Sequence, residues 1–368
     1  MAQETTLFAN IVEKYFSPIV KKIIEKINGK TTEEVYFYNQ MLTTEYSPSL
    51  NWGSAEINTS IVSADVVAMD SPLPLKKRDT YSKASGRIPK LGMSLSLKES
   101  DIKTLQAMQR NTSIPESEIA SKLLNDVPRT IKGIEMRKEY LFQQALSTGV
   151  MLVEDNTNQG TGIRVDFGYD DDNKLTSEIP WSTPATAVPI DDINRVLDKV
   201  SEDGASISTI MMSKKYFDYM RNTKQAQTLY ANSINLNVNS TGSNLFRPQK
   251  QAFIDAIEGE FGIKLIVVDT SLKIEKNGVR TSVKPWEQAN VLFLYDNVVG
   301  RVVWSDAVEA SNPVAGVMYE AGTQGTLISK YSETNPYREF TDGQAFALPV
   351  IDSPSDIYML TADKTTSI

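Results

Sequence analysis

Near the N-terminus apolar residues recur every three or four positions: Phe8, Ile11, Val12, Tyr15, Phe16, Ile19, Val20, Ile23, Ile24 and Ile27. Lys14, Lys21, Lys22, Glu25 and Lys26 fall between them, and Asn28-Gly29 closes the run. This is the pattern of an amphipathic helix, and Ser17-Pro18 predicts a break that divides it into a helix pair. Two uses of the apolar face are open: a place in the chain's own core, or an arm laid on a neighbouring subunit or scaffold.

From about residue 31 the periodicity changes. Pro48, Pro72, Pro74 and Pro89, with Gly53 and Gly86, punctuate strand-like pieces at Glu56–Met69 and Ile88–Leu97, the second alternating through Leu91, Met93, Leu95 and Leu97. The intervening SPLPLKKRDTYSKASGRIPK is turn-rich and basic, with Lys76, Lys77, Arg78, Lys83, Arg87 and Lys90. It holds too little apolar area for a core of its own. It reads either as a long two-stranded excursion or as an ordinary surface loop.

Helical patterning returns at 99–110, opened by Glu99, Ser100 and Asp101, residues suited to a helix start. A longer stretch, about 114–147, places Ile131, Ile134, Leu141, Phe142, Ala145 and Leu146 on one side, with Arg137, Lys138 and Gln144 elsewhere. Pro128 predicts a kink or break after Asp126 or Val127, and Gly149 a stop. GVMLVEDNTNQGTGIRVDFGY then predicts a hairpin turning within Asn156–Gly162. Beyond it, helices are expected at 189–202, 213–222 and 248–260, and strands at 207–212, 263–268 and 290–296. Asn277-Gly278, inside Leu272 to Val283, is a two-residue hairpin signal because both positions tolerate positive φ. Met211, Met212 and Met220 read as core.

Composition narrows the chemistry. The chain's 368 residues suggest about two subdomains. There is no run of about eighteen apolar residues to span a membrane, and MAQETTLFAN lacks the pattern of a signal peptide, so folding in a cytoplasm is expected. The chain has no cysteine and no histidine. That excludes disulfides, thiolate nucleophiles, Ser-His-Asp triads and nearly all zinc sites; only an enzyme built on carboxylates, amines or hydroxyls survives. Asp170-Asp171-Asp172-Asn173 lacks the spacing of a calcium loop, and Asp191-Asp192 after Pro189 is explained by the positive end of a helix. Thr161-Gly162 is followed by no Gly-Lys-Ser/Thr, and Gly-x-Ser-x-Gly is absent. No catalytic, cofactor-binding or metal-binding residue is therefore expected. The net charge of −8 argues against tight nucleic-acid binding by the folded body, though not against enclosing nucleic acid. With no histidine, a pH-driven rearrangement would need a pH near or below about 5, unless burial raises a carboxylate.

An ordered set of short motifs adds a resemblance. GRIPKLGMSLSLKESDI precedes the long helix, which ends in RKEYLFQQALSTGV. Val165 to Tyr169, Pro180-Trp181, Pro184, the PIDDI helix start and ISTIMMSKKYFDYMRN follow, and SETNPYREFTDGQAFALPVIDSPSDI, with Asn335-Pro336 and Leu348-Pro349-Val350, completes the order. Over about residues 85–360 this order resembles the lambda-type major capsid protein E family of tailed phages. The resemblance implies an α+β fold of the Hong Kong 97 type and a non-enzymatic subunit that self-assembles, as pentamers and hexamers, into an icosahedral shell around double-stranded DNA. It implies an N-terminal arm (about 1–50), an extended loop (51–90), a peripheral domain with a spine helix (91–180 and 325–368) and an axial domain (181–324). Scaffold, portal and decoration proteins are the further partners it brings; no cofactor and no membrane are implied. Lys76, Lys77, Arg78 and Lys83 are the candidate assembly contacts, facing Glu135 or Glu139 on a neighbour's spine helix. An encapsulin-like compartment shell, another phage structural protein and a histidine-free carboxylate enzyme remain as alternatives.

Overall fold

In the computed structural model the described residues are 4–28, 36–53, 84–153, 163–234, 247–276 and 278–363. The N-terminal periodicity produces one helix, Ala9–Asn28, and not the pair expected from Ser17-Pro18. Phe8, Ile11, Val12, Phe16 and Val20 are buried in a cluster with Ile102, Leu105, Ile119 and Leu123. Each such side chain contributes about 1.5–3 kcal/mol on burial, so together they outweigh the roughly 3 kcal/mol cost of an interior proline. Pro18 itself lies on the exposed side.

The chain divides into two compact units. The first comprises Met1–Gly53, Ser85–Phe142 and Gly300–Val350. Its sheet runs in the order Leu42–Tyr46, Gly300–Ser305, Tyr337–Ile351, Leu327–Thr334, Met318–Ala321, and Lys90–Leu97 also pairs with the long strand Tyr337–Ile351. The edge strand Leu42–Tyr46 lies parallel to Gly300–Ser305. Asn51–Gly53 and Ser85–Arg87 pair antiparallel, with Trp52 opposite Gly86, so the two flanks of the basic segment are tied together. Residues 54–83, which hold the expected strand Glu56–Met69 and the basic side chains up to Lys83, lie outside the described residues.

Short helices at Glu99–Arg110 and Glu116–Leu123 precede the long helix Asp126–Thr148. The break falls at Leu124-Asn125, slightly before the expected position. Pro128 then occupies the first turn, where its missing N–H would have had no intrahelical partner. Within the first unit this helix meets the sheet at two glycines. A Cβ on Gly133 would lie 2.3 Å from Met93 Sδ, and one on Gly343 would lie 2.3 Å from Thr130 Cγ2 and 3.1 Å from Ile134 Cδ1.

The second unit comprises the described residues of Gln143–Val299 and Ile351–Ile368. Its five-stranded sheet runs Lys174–Thr176, Tyr358–Thr361, Asn290–Leu294, Thr209–Ser213, Lys264–Val268. Its outer pairs are parallel and its inner pairs antiparallel. Helices Pro189–Glu202, Lys214–Arg221, Lys224–Ser233 and Lys250–Phe261 share its core with Trp181, Met212, Phe217, Met220, Phe253 and Phe293. Ser213 and Thr223 start two of these helices, their hydroxyls accepting the backbone N–H of Tyr216 and Ala226, at 3.3 Å in each case. Two hairpins complete the unit: Val150–Val153 with Ile163–Asp166, whose expected turn at Asn156–Gly162 is outside the described residues, and Leu272–Lys276 with Val279–Val283.

Gly343→Ala should destabilise the protein by about 1–3 kcal/mol through overpacking against the long helix. Urea unfolding checks this; a variant as stable as the native chain would show that helix and sheet can separate without cost.

Candidate assembly site

Beyond its first turn the long helix carries ionisable residues on its buried side. Glu135, Lys138 and Glu139 are all within the interior of the first unit, Lys138 being fully buried. Glu135 and Lys138, one turn apart, form an ion pair at 2.9 Å. Lys138 Nζ also donates to Gln324 Oε1 at 2.9 Å and lies 5.1 Å from the centre of the Tyr38 ring. The Tyr38 hydroxyl donates to Glu135 Oε2. Glu139 takes a different partner: its two oxygens accept the backbone N–H groups of Phe37 (3.2 Å) and Tyr38 (3.0 Å). These are among the otherwise unpaired donors that open the short helix Phe37–Met41. Burial pushes the Glu135 carboxyl above the usual carboxylate range, with Lys138 opposing the shift. Burial likewise holds the Lys138 ammonium below the usual amine range, with Glu135 opposing.

A second interior amine lies on the sheet. Lys330 is fully buried and donates to Thr341 Oγ1 at 3.1 Å. Burial lowers its pKa, while the carboxylates of Glu339, Asp126 and Asp342 act in the opposite sense. In the second unit, Asp192 is buried at the start of helix Pro189–Glu202, where it accepts Trp181 Nε1–H at 2.9 Å and Arg195 Nη2–H at 3.0 Å. Burial raises its pKa as well. The Asp170–Asp172 cluster is a turn: Asp170 accepts the backbone N–H of Asp172, and Lys174 pairs with Asp171 at 2.7 Å. Among the described residues no group of three acidic side chains is placed to hold a metal ion, and no helix is long and apolar enough to cross a membrane.

The expected contact pair is therefore corrected on one side. Glu135 and Glu139 are not an acidic surface open to a neighbour, because their oxygens are buried and already engaged by Lys138, Tyr38 and Phe37. Lys138, expected off the apolar side, belongs to it. Lys76, Lys77, Arg78 and Lys83 lie outside the described residues. Among the exposed large apolar side chains of the first unit, Val308 is 70% exposed and Val314 45%, on the segment that follows strand Gly300–Ser305. Nearby in the chain, Trp304 meets Tyr46 of the edge strand edge-on, ring centres 4.9 Å apart. The alternation of that segment gave no strand or helix signal, and only its uncovered valines mark it.

The phage major capsid protein E family matches residues 37–362. The chain belongs to that family. The fold agrees. A putative capsid protein of an Escherichia coli CFT073 prophage superposes with a TM-score of 0.57 at 14% identity, over 93% of this chain and 98% of that one. A phage-related protein of Bordetella bronchiseptica RB50 gives 0.50 at 11% identity over 98% of both chains. No curated protein matches the sequence. This capsid protein thus has the Hong Kong 97 type of α+β fold, and copies of it form the shell of a phage virion. Of the alternatives left open by the sequence, the phage shell subunit is the one the family match selects.

In the capsid protein the Glu135–Lys138 pair fixes the subunit's interior. Glu135, raised by burial, contributes its full stability only below its unfolded pKa and loses that contribution as pH rises through the folded value. Lys138, lowered, contributes fully only above its unfolded pKa and loses that as pH falls. In both groups burial disfavours the charged form, and the partner opposes that shift. Lys138→Met alone should thus cost about 3–5 kcal/mol by stranding a buried carboxylate, while Glu135→Gln with Lys138→Met should cost clearly less than the two single changes together. Urea unfolding of the three variants at pH 7 measures the coupling, and additive losses would show that the pair acts as two independent groups.

Proposed function

We propose that this capsid protein assembles as pentamers and hexamers into an icosahedral head that encloses double-stranded DNA without specific binding. The match to the capsid family over residues 37–362 carries this reading. Assembly in the host cytoplasm, a non-enzymatic role, and scaffold, portal and decoration proteins as further partners complete it. Residues 1–50 serve as the arm, 51–90 as the extended loop, 91–180 with 325–368 as the peripheral domain and 181–324 as the axial domain. The paired flanks of the loop, at Asn51–Gly53 and Ser85–Arg87, support an excursion that leaves and re-enters the body at one place. The compact units divide at different positions, because Lys174–Thr176 and Tyr358–Thr361 complete the second unit's sheet.

The basic residues Lys76, Lys77, Arg78 and Lys83 remain the proposed assembly contact, now with an exposed acidic surface of a neighbour in place of Glu135 and Glu139. A protein with net charge −8 repels its own copies at long range, so a basic loop supplies the opposite sign at the contact. The same acidity disfavours phosphate binding, which leaves packaged DNA free to slide.

Electron microscopy of purified protein should show closed particles or rings of five and six subunits; monomers under all assembly conditions would refute the reading. Replacing Lys76, Lys77 and Arg78 with Glu should leave circular dichroism and melting temperature nearly unchanged while blocking shell formation. Unfolding would place the loop in the core, and normal shells would remove it from the contact. In a gel-shift assay at moderate salt the subunit should not retard DNA; submicromolar, steeply salt-dependent affinity would contradict the proposed passive wall.

A further inference from the structure

The hairpin Leu272–Lys276/Val279–Val283 pairs with no other strand among the described residues. Its register sorts the side chains onto two faces. Lys273 stands opposite Ser282 and Glu275 opposite Arg280 on one face; Leu272 opposite Val283 and Ile274 opposite Thr281 lie on the other, which Val279 shares. The polar face is satisfied within the ribbon. Arg280 Nε lies 2.7 Å from Glu275 Oε2, and the Ser271 and Ser282 hydroxyls are 2.7 Å apart. The other face holds Leu272, Ile274, Val279, Thr281 and Val283, with Lys276 at the register position opposite Val279. It is buried at its root, at Leu272, and opens toward the tip, where Val279 is 62% exposed.

A two-stranded ribbon is marginally stable in water without a covered face, and this one leaves the apolar end of its face uncovered. Charge indicates what covers it. Residues 272–283 carry Lys273, Lys276 and Arg280 against Glu275, a net charge of +2, so the rest of the chain carries −10 of the total −8. A basic ribbon with an exposed valine at its tip is therefore complementary to the acidic body of another copy, and a shell brings such copies together by construction. We infer that the tip of this hairpin docks on a second copy of this chain. The inference rests on the shell-building reading and adds the surface that holds neighbouring subunits together.

The chain has no cysteine, so Val279→Cys creates a single reactive handle at the tip. Coupled to a maleimide photo-crosslinker and irradiated in assembled particles, it should yield a covalent dimer of this chain as the main adduct. Adduct to a different polypeptide only, or none in particles that form normally, would overturn the inference. Independently, Val279→Asp with Arg280→Glu should leave circular dichroism and melting temperature near native and reduce particle yield at least tenfold, with Val279→Thr close to native yield. Native yield from the charged variant would also overturn it. If the unmodified chain itself forms no particles, the shell-building reading fails, an outcome distinct from loss or survival of assembly in the variants alone.

Discussion

The first unit depends on how closely the long helix can lie on its sheet. At Gly133 and Gly343 the gap between helix and strand has no room for a single methyl group. At Gly133 the neighbour is the flexible Met93, which can shift, whereas at Gly343 it is the branched Thr130 and Ile134, which have less room to give. This close approach sets Thr130 and Ile134 of the helix against Gly343 of strand Tyr337–Ile351, and Gly133 against Met93 of strand Lys90–Leu97.

The first unit buries charge as well. Two amines and their carboxylate partners occupy the interior of a unit that could have been filled with aliphatic side chains at no loss of stability. Their directionality distinguishes them from leucine. Glu139 accepts the two N–H groups that open the helix Phe37–Met41, and Lys138 reaches Gln324. Segments far apart in sequence are thereby held in one register, where apolar contacts alone would allow sliding. A subunit that must repeat identically in a shell gains from an interior that admits one arrangement.

Much of the fold was legible. Helix Pro189–Glu202 follows from its proline and acidic opening, and the strands at 209–213, 264–268 and 290–294 lie within about two residues of their expected limits. Helix Lys224–Ser233 and strand Gly300–Ser305 went unpredicted, although Thr223 is a capping residue whose signal was there to read. Ser17-Pro18 is a local breaker that the burial of the helix's apolar face overrides. The acidic side of the proposed contact failed for a related reason. The sequence pattern puts Glu135 on a surface facing a neighbour and Lys138 off the apolar side, yet 131, 135, 138 and 142 fall on one helical stripe with Ile131 and Phe142. A charged pair at i, i+3 inside an apolar stripe is the readable sign of a buried bridge. What no pattern could supply is the partner: Tyr38 lies about a hundred positions away in the chain and enters the site through tertiary packing alone.

The interior lysines also carry a kinetic meaning. An amine reacts with acylating reagents only when it is neutral and reachable; Lys138 and Lys330 are biased toward the first condition by burial and denied the second. In the folded subunit they are silent while surface lysines are modified, and each opening of the first unit exposes an amine that then reacts as a surface lysine does. Their modification records how often that interior has been open, giving the subunit two built-in clocks of its own breathing.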